Sequence, residues 1–145
     1  MPEYCRNIAA KPAKEAAMIV CRSQDTPYQV AFSNGTFTAM CDAAPDKGGA
    51  GEGFRPHELL EAALGSCTAM IVRMYAANHA IPLEGVEVSV TLDREREATT
   101  AFVCRIALSG DLTDEQRQRL LRAARACPVR RTLSRTLVFE ESEAL

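Results

Sequence analysis

With 145 residues, 47% of them hydrophobic and 25% charged, and a net charge of −2, the sequence has the make-up of one ordinary globular domain. That composition excludes long disorder and fibrous repeats and gives no basic footprint for a nucleic-acid binder. No run approaches the roughly 18 apolar residues of a membrane span, and the N-terminus carries neither a secretory apolar run nor a lipidation motif. The expectation is a cytoplasmic protein that binds neither membrane nor nucleic acid.

Residues 1–15 are mixed, charged and interrupted by two prolines, so they read as an arm ahead of a single domain over 16–145. Three short strands are predicted next, at Ala17–Arg22, Tyr28–Ser33 and Thr36–Cys41. The second alternates Tyr28, Val30 and Phe32 against Gln29, Ala31 and Ser33. Asn34-Gly35 between the last two strands suits a type I′ hairpin turn, because both residues tolerate positive φ. Asp42–Arg55, rich in glycine and without periodicity, is a loop.

Pro56 opens the longest apolar segment, PHELLEAALGSCTAMIVRMYAANHA, as a proline in a first helical turn does. Apolar residues lie on nearly every side of this helix, which predicts burial all round. At about 22 residues and roughly 33 Å it is too long for one small domain to cover, so a homodimer is expected to bury it.

After Pro82, Gly85–Asp93 and Ala101–Leu108 alternate as a strand pair with one wet face. Thr113-Asp-Glu-Gln116 has the pattern of a capping box, and the helix it starts is expected to reach about Cys127, where Pro128 stops it. Arg131–Glu140 reads as a final strand. The order is βββ-α-ββ-α-β, and because strands do not alternate regularly with helices the fold class is α+β.

The chain has six cysteines, at 5, 21, 41, 67, 104 and 127. None forms a CxxC pair or a cluster with zinc spacing, so neither a metal nor another cofactor is expected. Cys41 and Cys104 fall on the apolar phase of strands and read as core, Cys21 as a strand cysteine, and Cys5 as an exposed residue of the arm.

Cys67, in Gly65-Ser66-Cys67-Thr68, is either a core cysteine or a reactive one. A reactive thiolate at mid-helix needs a cation, and Arg22, Arg73, Arg130 and Arg131 are the candidates. Cys127, expected at a helix C-terminus whose partial negative charge opposes a thiolate, suits a partner thiol better than a first nucleophile. Seven arginines between Arg117 and Arg135 read as a solvated face rather than a nucleic-acid patch, since no aromatic residue is interleaved with them.

The run from Pro56 through Gly65-Ser-Cys67-Thr-Ala-Met to Arg73-Met-Tyr-Ala, together with Pro82-Leu-Glu-Gly-Val-Glu-Val, Leu112-Thr-Asp-Glu-Gln-Arg and Ala126-Cys127-Pro-Val, resembles the OsmC/Ohr family, and its OsmC-like branch most. The resemblance spans roughly residues 17–140. It implies an intertwined homodimer with the cysteine helix at its centre. It also implies thiol-dependent reduction of organic hydroperoxides, with an external dithiol as reductant. Cys67 is then the peroxide-attacking thiol and Cys127 the resolving one. An arginine from the N-terminal strand region, here Arg22, and a glutamate ahead of the cysteine helix complete the family's site. His57 stands ten residues before Cys67, where the best-known members carry that glutamate, and Glu58 stands nine before. The alternative function is a non-enzymatic dimer of the same fold that binds a small ligand or partner and senses oxidation.

Overall fold

The computed structural model describes residues 18–143, so the expected arm and Cys5 lie outside the described residues. The chain forms two compact units, Met1–Leu59 and Leu60–Leu145.

In the first unit, β1 (Val20–Ser23), β2 (Val30–Ser33) and β3 (Thr38–Cys41) make an antiparallel sheet in the order β1-β2-β3. The register places Cys21 opposite Phe32 and Val30 opposite Cys41. Two expectations change here. The more enclosed phase of β2 is the small one, Ala31 and Ser33, while Val30 and Phe32 are half-buried. The β2–β3 connection is a four-residue loop, not a two-residue turn: β2 ends by pairing Ser33 with Thr38. Asn34 closes that loop with its side chain, its Oδ1 accepting from the N–H groups of Thr36 at 3.0 Å and Phe37 at 2.8 Å. Gly35 takes the positive φ that the turn type requires, at 88°, while Asn34 does not. Cys21 is exposed, whereas Cys41 is buried as expected.

The glycine-rich segment after β3 is ordered around Asp42, which is only 2% exposed. Its carboxylate accepts from the N–H groups of Ala43 at 2.7 Å and Glu52 at 3.1 Å. These donors, the Glu52 N–H foremost, hold the Asp42 carboxyl below the usual aspartate range against the effect of burial. The chain then returns beside β3, with Phe54 N–H donating to the Met40 carbonyl at 2.9 Å. Gly53 permits this return, since a Cβ there would sit 2.7 Å from that same carbonyl oxygen.

Helix α1 spans Pro56–Asn78, the span read from the sequence, and the division between the units falls in its second turn. In the second unit β4 (Gly85–Asp93) and β5 (Ala101–Ser109) form an antiparallel hairpin. Its half-buried face carries the directly paired rows Val86–Leu108, Val88–Ile106, Val90–Cys104 and Leu92–Phe102. Gly65 brings α1 close to this sheet, because a Cβ there would lie 3.2 Å from the Val90 side chain. Glu61 tethers the same contact by accepting the Leu92 N–H at 2.7 Å.

Helix α2 (Asp114–Ala124) begins with the expected capping box, Thr113 accepting from the Gln116 N–H and Gln116 accepting from the Thr113 N–H. Val72, Ala76, Ile81, Leu120 and Ala124 form the buried cluster of this unit, with Val86, Ile106 and Leu108 packed against it.

Two further expectations are corrected. The predicted strand Arg131–Glu140 does not form. Pro128–Leu133 is a short helix, α3, and 134–143 follows it without regular structure. Proline suits a first helical turn as well as it ends a preceding helix, and here it begins one.

Helix α1 is also not buried all round. Leu64, Gly65, Thr68, Val72 and Ala76 form its buried face, while Leu60, Met70 and Met74 are 44%, 60% and 58% exposed. Its length and an 18-residue mean hydropathy of 1.2 would suffice to cross a membrane, contrary to the reading that no segment comes close.

Candidate functional site

The two helices that flank the buried cluster bring Cys67 and Cys127 together. Cys67 lies on α1 immediately before Thr68 and is half-buried, whereas Thr68 is 3% exposed. Cys127 is fully buried, at 0% exposure. Its place follows from local chemistry. Helix α2 ends at Ala124, and a tight turn follows, with Arg125 N–H donating to the Arg122 carbonyl and Ala126 N–H to the Ala123 carbonyl. Pro128 then disfavours helical ψ at the residue before it, and Cys127 adopts φ −54°, ψ 122° as the N-cap of α3. The sequence reading put Cys127 at a helix C-terminus. It stands at an N-terminus instead, where N–H groups point outward and favour a thiolate.

Cys127 Sγ lies beside the backbone N–H groups of Arg130 and Val129, the Cys67 thiol and the Thr68 side chain, all of which favour its anion. Burial raises its pKa, and these donors together outweigh burial and bring the group below the ordinary thiol range. Cys67 moves the other way. The Val129 N–H favours its anion, but burial and the neighbouring Cys127 push its pKa up. Of the two thiols Cys127 is therefore the more acidic. This reverses the expectation that Cys67 is the more acidic thiol. The stabilising groups also differ from those anticipated: Arg130 acts on the pair through its backbone N–H.

Arg22 is exposed on β1, opposite Ala31. Glu58, in the first turn of α1, accepts from the Arg55 N–H at 2.9 Å and pairs with the Arg55 guanidinium. The first of these bonds is the main cause holding its carboxyl below the usual glutamate range. Arg73 donates to the Glu84 carbonyl at 2.9 Å. Arg131 is exposed on α3. Cys104 is half-buried in β5 opposite Val90. Among the described residues no group of three or more His, Cys, Asp or Glu side chains is arranged to hold a metal ion.

Thr68 and Val129 are contacts that sequence reasoning missed. The signal for Thr68 was a hydroxyl beside the helix cysteine. For Val129 it was the Cys-Pro pair, which places the next N–H groups in a first helical turn.

A groove of about 500 Å³, lined by Ala69, Met70, Arg73, Met74, Gly85 and Val86, runs along the exposed stripe of α1 and includes neither thiol.

Comparison with known proteins agrees with this architecture. The family model described as OsmC-like protein matches residues 49–142. A protein of Psychrobacter arcticus 273-4, named for osmotic stress induction and detoxification response, is 22% identical with a TM-score of 0.69, covering 82% of this chain and 89% of its own. An organic hydroperoxide resistance protein of Legionella pneumophila is 20% identical with a TM-score of 0.61, covering 85% and 92%. One of Elizabethkingia anophelis, with thiocyanate bound, is 17% identical with a TM-score of 0.59, covering 83% and 91%. No curated protein matches the chain.

Proposed function

The chain belongs to the OsmC-like family, and from that premise and its paired thiols we propose that it is a cytoplasmic, cysteine-based reductase of organic hydroperoxides that works as a homodimer. The observation that carries the reading is the neighbouring pair of Cys67, half-buried and reachable, and Cys127, buried and the more acidic thiol. Two neighbouring solved structures of the same fold are named as organic hydroperoxide resistance proteins, which supports the substrate class.

The chemistry follows from the order of the two acidities. Cys67 Sγ attacks the distal oxygen of the hydroperoxide, the O–O bond breaks, and the sulfur gives up two electrons. The Cys67 S–H proton, accepted by Cys127 as attack proceeds, neutralises the departing alkoxide, which leaves as an alcohol. Cys67 is then a sulfenic acid. Cys127, again a thiolate, attacks the Cys67 sulfur. The S–S bond forms, the S–O bond breaks, and hydroxide leaves and takes a proton from solvent to become water. An external dithiol reduces the disulfide by exchange and is itself oxidised to a disulfide.

The exposed stripe of α1 supports the homodimer. Leu60, Met70 and Met74 continue into the adjoining groove, and Arg73 sits among them with its guanidinium tied to the Glu84 carbonyl. A cationic group in the middle of an apolar helix face disfavours lipid and suits a protein surface that brings its own polar partners. A second copy of α1 is the occupant this reading assigns. The roles that the resemblance gives Arg22 and Glu58 belong to the same proposal.

The test is peroxide consumption with a dithiol reductant. Wild-type protein consumes an organic hydroperoxide catalytically. Cys67→Ser does not, and Cys127→Ser stops after one equivalent. Arg22→Met and Glu58→Gln slow consumption about tenfold or more, as loss of a group that acts only on the peroxide step does. Wild-type protein that consumes no peroxide overturns the enzymatic reading in favour of an oxidation-sensing dimer.

A further inference from the structure

Seven arginines and no acidic residue fall between Gln116 and Phe139, in a chain whose net charge is −2. Two of them turn to protein partners: Arg117 donates to the Leu108 carbonyl at 3.2 Å and Arg119 to the Tyr75 hydroxyl at 3.3 Å. The other five, Arg122, Arg125, Arg130, Arg131 and Arg135, are exposed, and none forms an ion pair among the described residues. Arg122 and Arg125 stand three apart at the end of α2, where like charges repel. A helix C-terminus favours a nearby cation. It does not call for five, unpaired and with no acid in the segment. Cys127 lies inside this patch: Arg125 is the C-cap of α2, Cys127 the N-cap of α3, and Arg130 and Arg131 belong to the last turn of α3.

We propose that these five arginines are the docking surface for the reductant, and that the reductant is a protein whose dithiol is set in an acidic surface. The inference rests on the two-cysteine reading, in which a dithiol from outside returns at every turnover. A partner that visits briefly and often gains from electrostatic steering, which raises the rate of encounter more than it tightens the complex. The size of the partner follows from the spread of the patch, from the last turn of α2 through α3 to the segment after it. A small carboxylate would engage one or two of these residues, not the set. Nucleic acid fits less well. No aromatic residue stands between Arg117 and Arg135 to stack a base, and α3, six residues and about 9 Å long, is too short to follow a groove. Once docked, one thiolate of the reductant attacks Cys67 Sγ, the reachable sulfur of the disulfide. A mixed disulfide forms, the 67–127 S–S bond breaks, and Cys127 leaves as a thiolate. The second thiolate of the reductant attacks its own sulfur in the mixed disulfide, and Cys67 leaves. Two electrons and the two S–H protons of the reductant end on Cys67 and Cys127, and the reductant departs as a disulfide.

The experiment uses protein oxidised to its 67–127 disulfide and two synthetic dithiol peptides, alike except that glutamates flank the cysteines of one and glutamines those of the other. Each rate of reduction is divided by that peptide's rate with 2-hydroxyethyl disulfide, which is uncharged, so that the effect of the glutamates on thiol acidity cancels. The proteins are the wild type, R122Q/R125Q/R135Q and R122K/R125K/R135K, and dithiothreitol serves as the uncharged reductant. On the wild type the glutamate peptide is expected to be about tenfold faster at low salt. High salt removes the advantage, because it screens exposed charges. The triple glutamine variant loses the advantage, the triple lysine variant keeps it, and dithiothreitol reduces all three proteins at closely similar rates. No preference for the glutamate peptide, or a preference that survives in R122Q/R125Q/R135Q, overturns the docking surface while the two-cysteine reading stands. A triple glutamine variant that sediments at half the wild-type mass assigns the arginines to a contact between copies and overturns it as well. Wild-type protein that forms no 67–127 disulfide overturns both.

Discussion

Cys67 and Cys127 are neighbours, and their pKa values move in opposite directions, up for Cys67 and down for Cys127. The direction follows from where the donors are. Arg130 and Val129 present N–H groups to Cys127 from the first turn of α3, whereas the principal effects raising Cys67 are burial and the neighbouring sulfur. The buried thiol is therefore the more readily ionised of the two.

That arrangement predicts which part of Arg130 matters. Arg130→Met keeps the N–H, so the pH midpoint of disulfide closure stays where it is in the wild type. Val129→Pro removes an N–H at a position in the first helical turn, where proline is tolerated. It raises the midpoint by about one unit, a tenfold loss of rate below it. Closure followed against pH in the two variants checks both statements, and a shift in Arg130→Met with none in Val129→Pro would contradict the backbone origin of the effect.

The exposed stripe of α1 predicts the assembly. Leu60, Met70 and Met74 are half or more exposed, or nearly so, on the outer face of a helix whose inner face is already filled. Met70→Glu and Met74→Glu place a charge in the proposed interface and convert the protein to monomer at micromolar concentration. Sedimentation of the wild type at the mass of a dimer, and of both variants at the mass of one chain, is the expected outcome. A wild-type monomer would contradict it.

Asp42 predicts an acid-sensitive segment. Its folded pKa is lowered, chiefly by the Glu52 N–H, so its contribution to stability is complete above the unfolded aspartate value of about 3.9 and is lost as pH falls through the lower folded value. Asp42→Asn removes the contribution at every pH. Thermal unfolding is expected to show a lower Tm for the variant at neutral pH. The gap should close as the pH drops below the carboxylate range, and a gap that stays constant with pH would contradict the assignment.

The parts of this fold that the sequence made legible are those decided by local chemistry. Pro56 and the long apolar run defined α1, the alternation of Val86, Val88, Val90 and Leu92 defined the wet and dry faces of β4, and Thr113 with Gln116 defined the start of α2. Misreadings arose where one residue type serves two ends. Pro128 both halts a helix and starts one, and reading it as a stop moved Cys127 from an N-cap to a C-terminus and reversed the expected sign of its acidity. Leu137, Val138 and Phe139 have the composition of a strand but are 52%, 76% and 84% exposed and outside any sheet of the described residues, since a strand needs an edge to pair with as well as β-forming residues. The thiol pair itself was not legible from spacing, because its contact depends on how α1 and the α2–α3 turn pack.

The central claim is that Cys67 and Cys127 form one redox pair, and its most direct measurement is the covalent state of the cysteines after one equivalent of organic hydroperoxide. Peptide mass spectrometry of the wild type should show a disulfide joining 67 to 127, and of Cys127→Ser a sulfenic acid on Cys67. A wild-type disulfide that instead engages Cys41 or Cys104, or thiols that remain reduced at 67 and 127, would contradict the account.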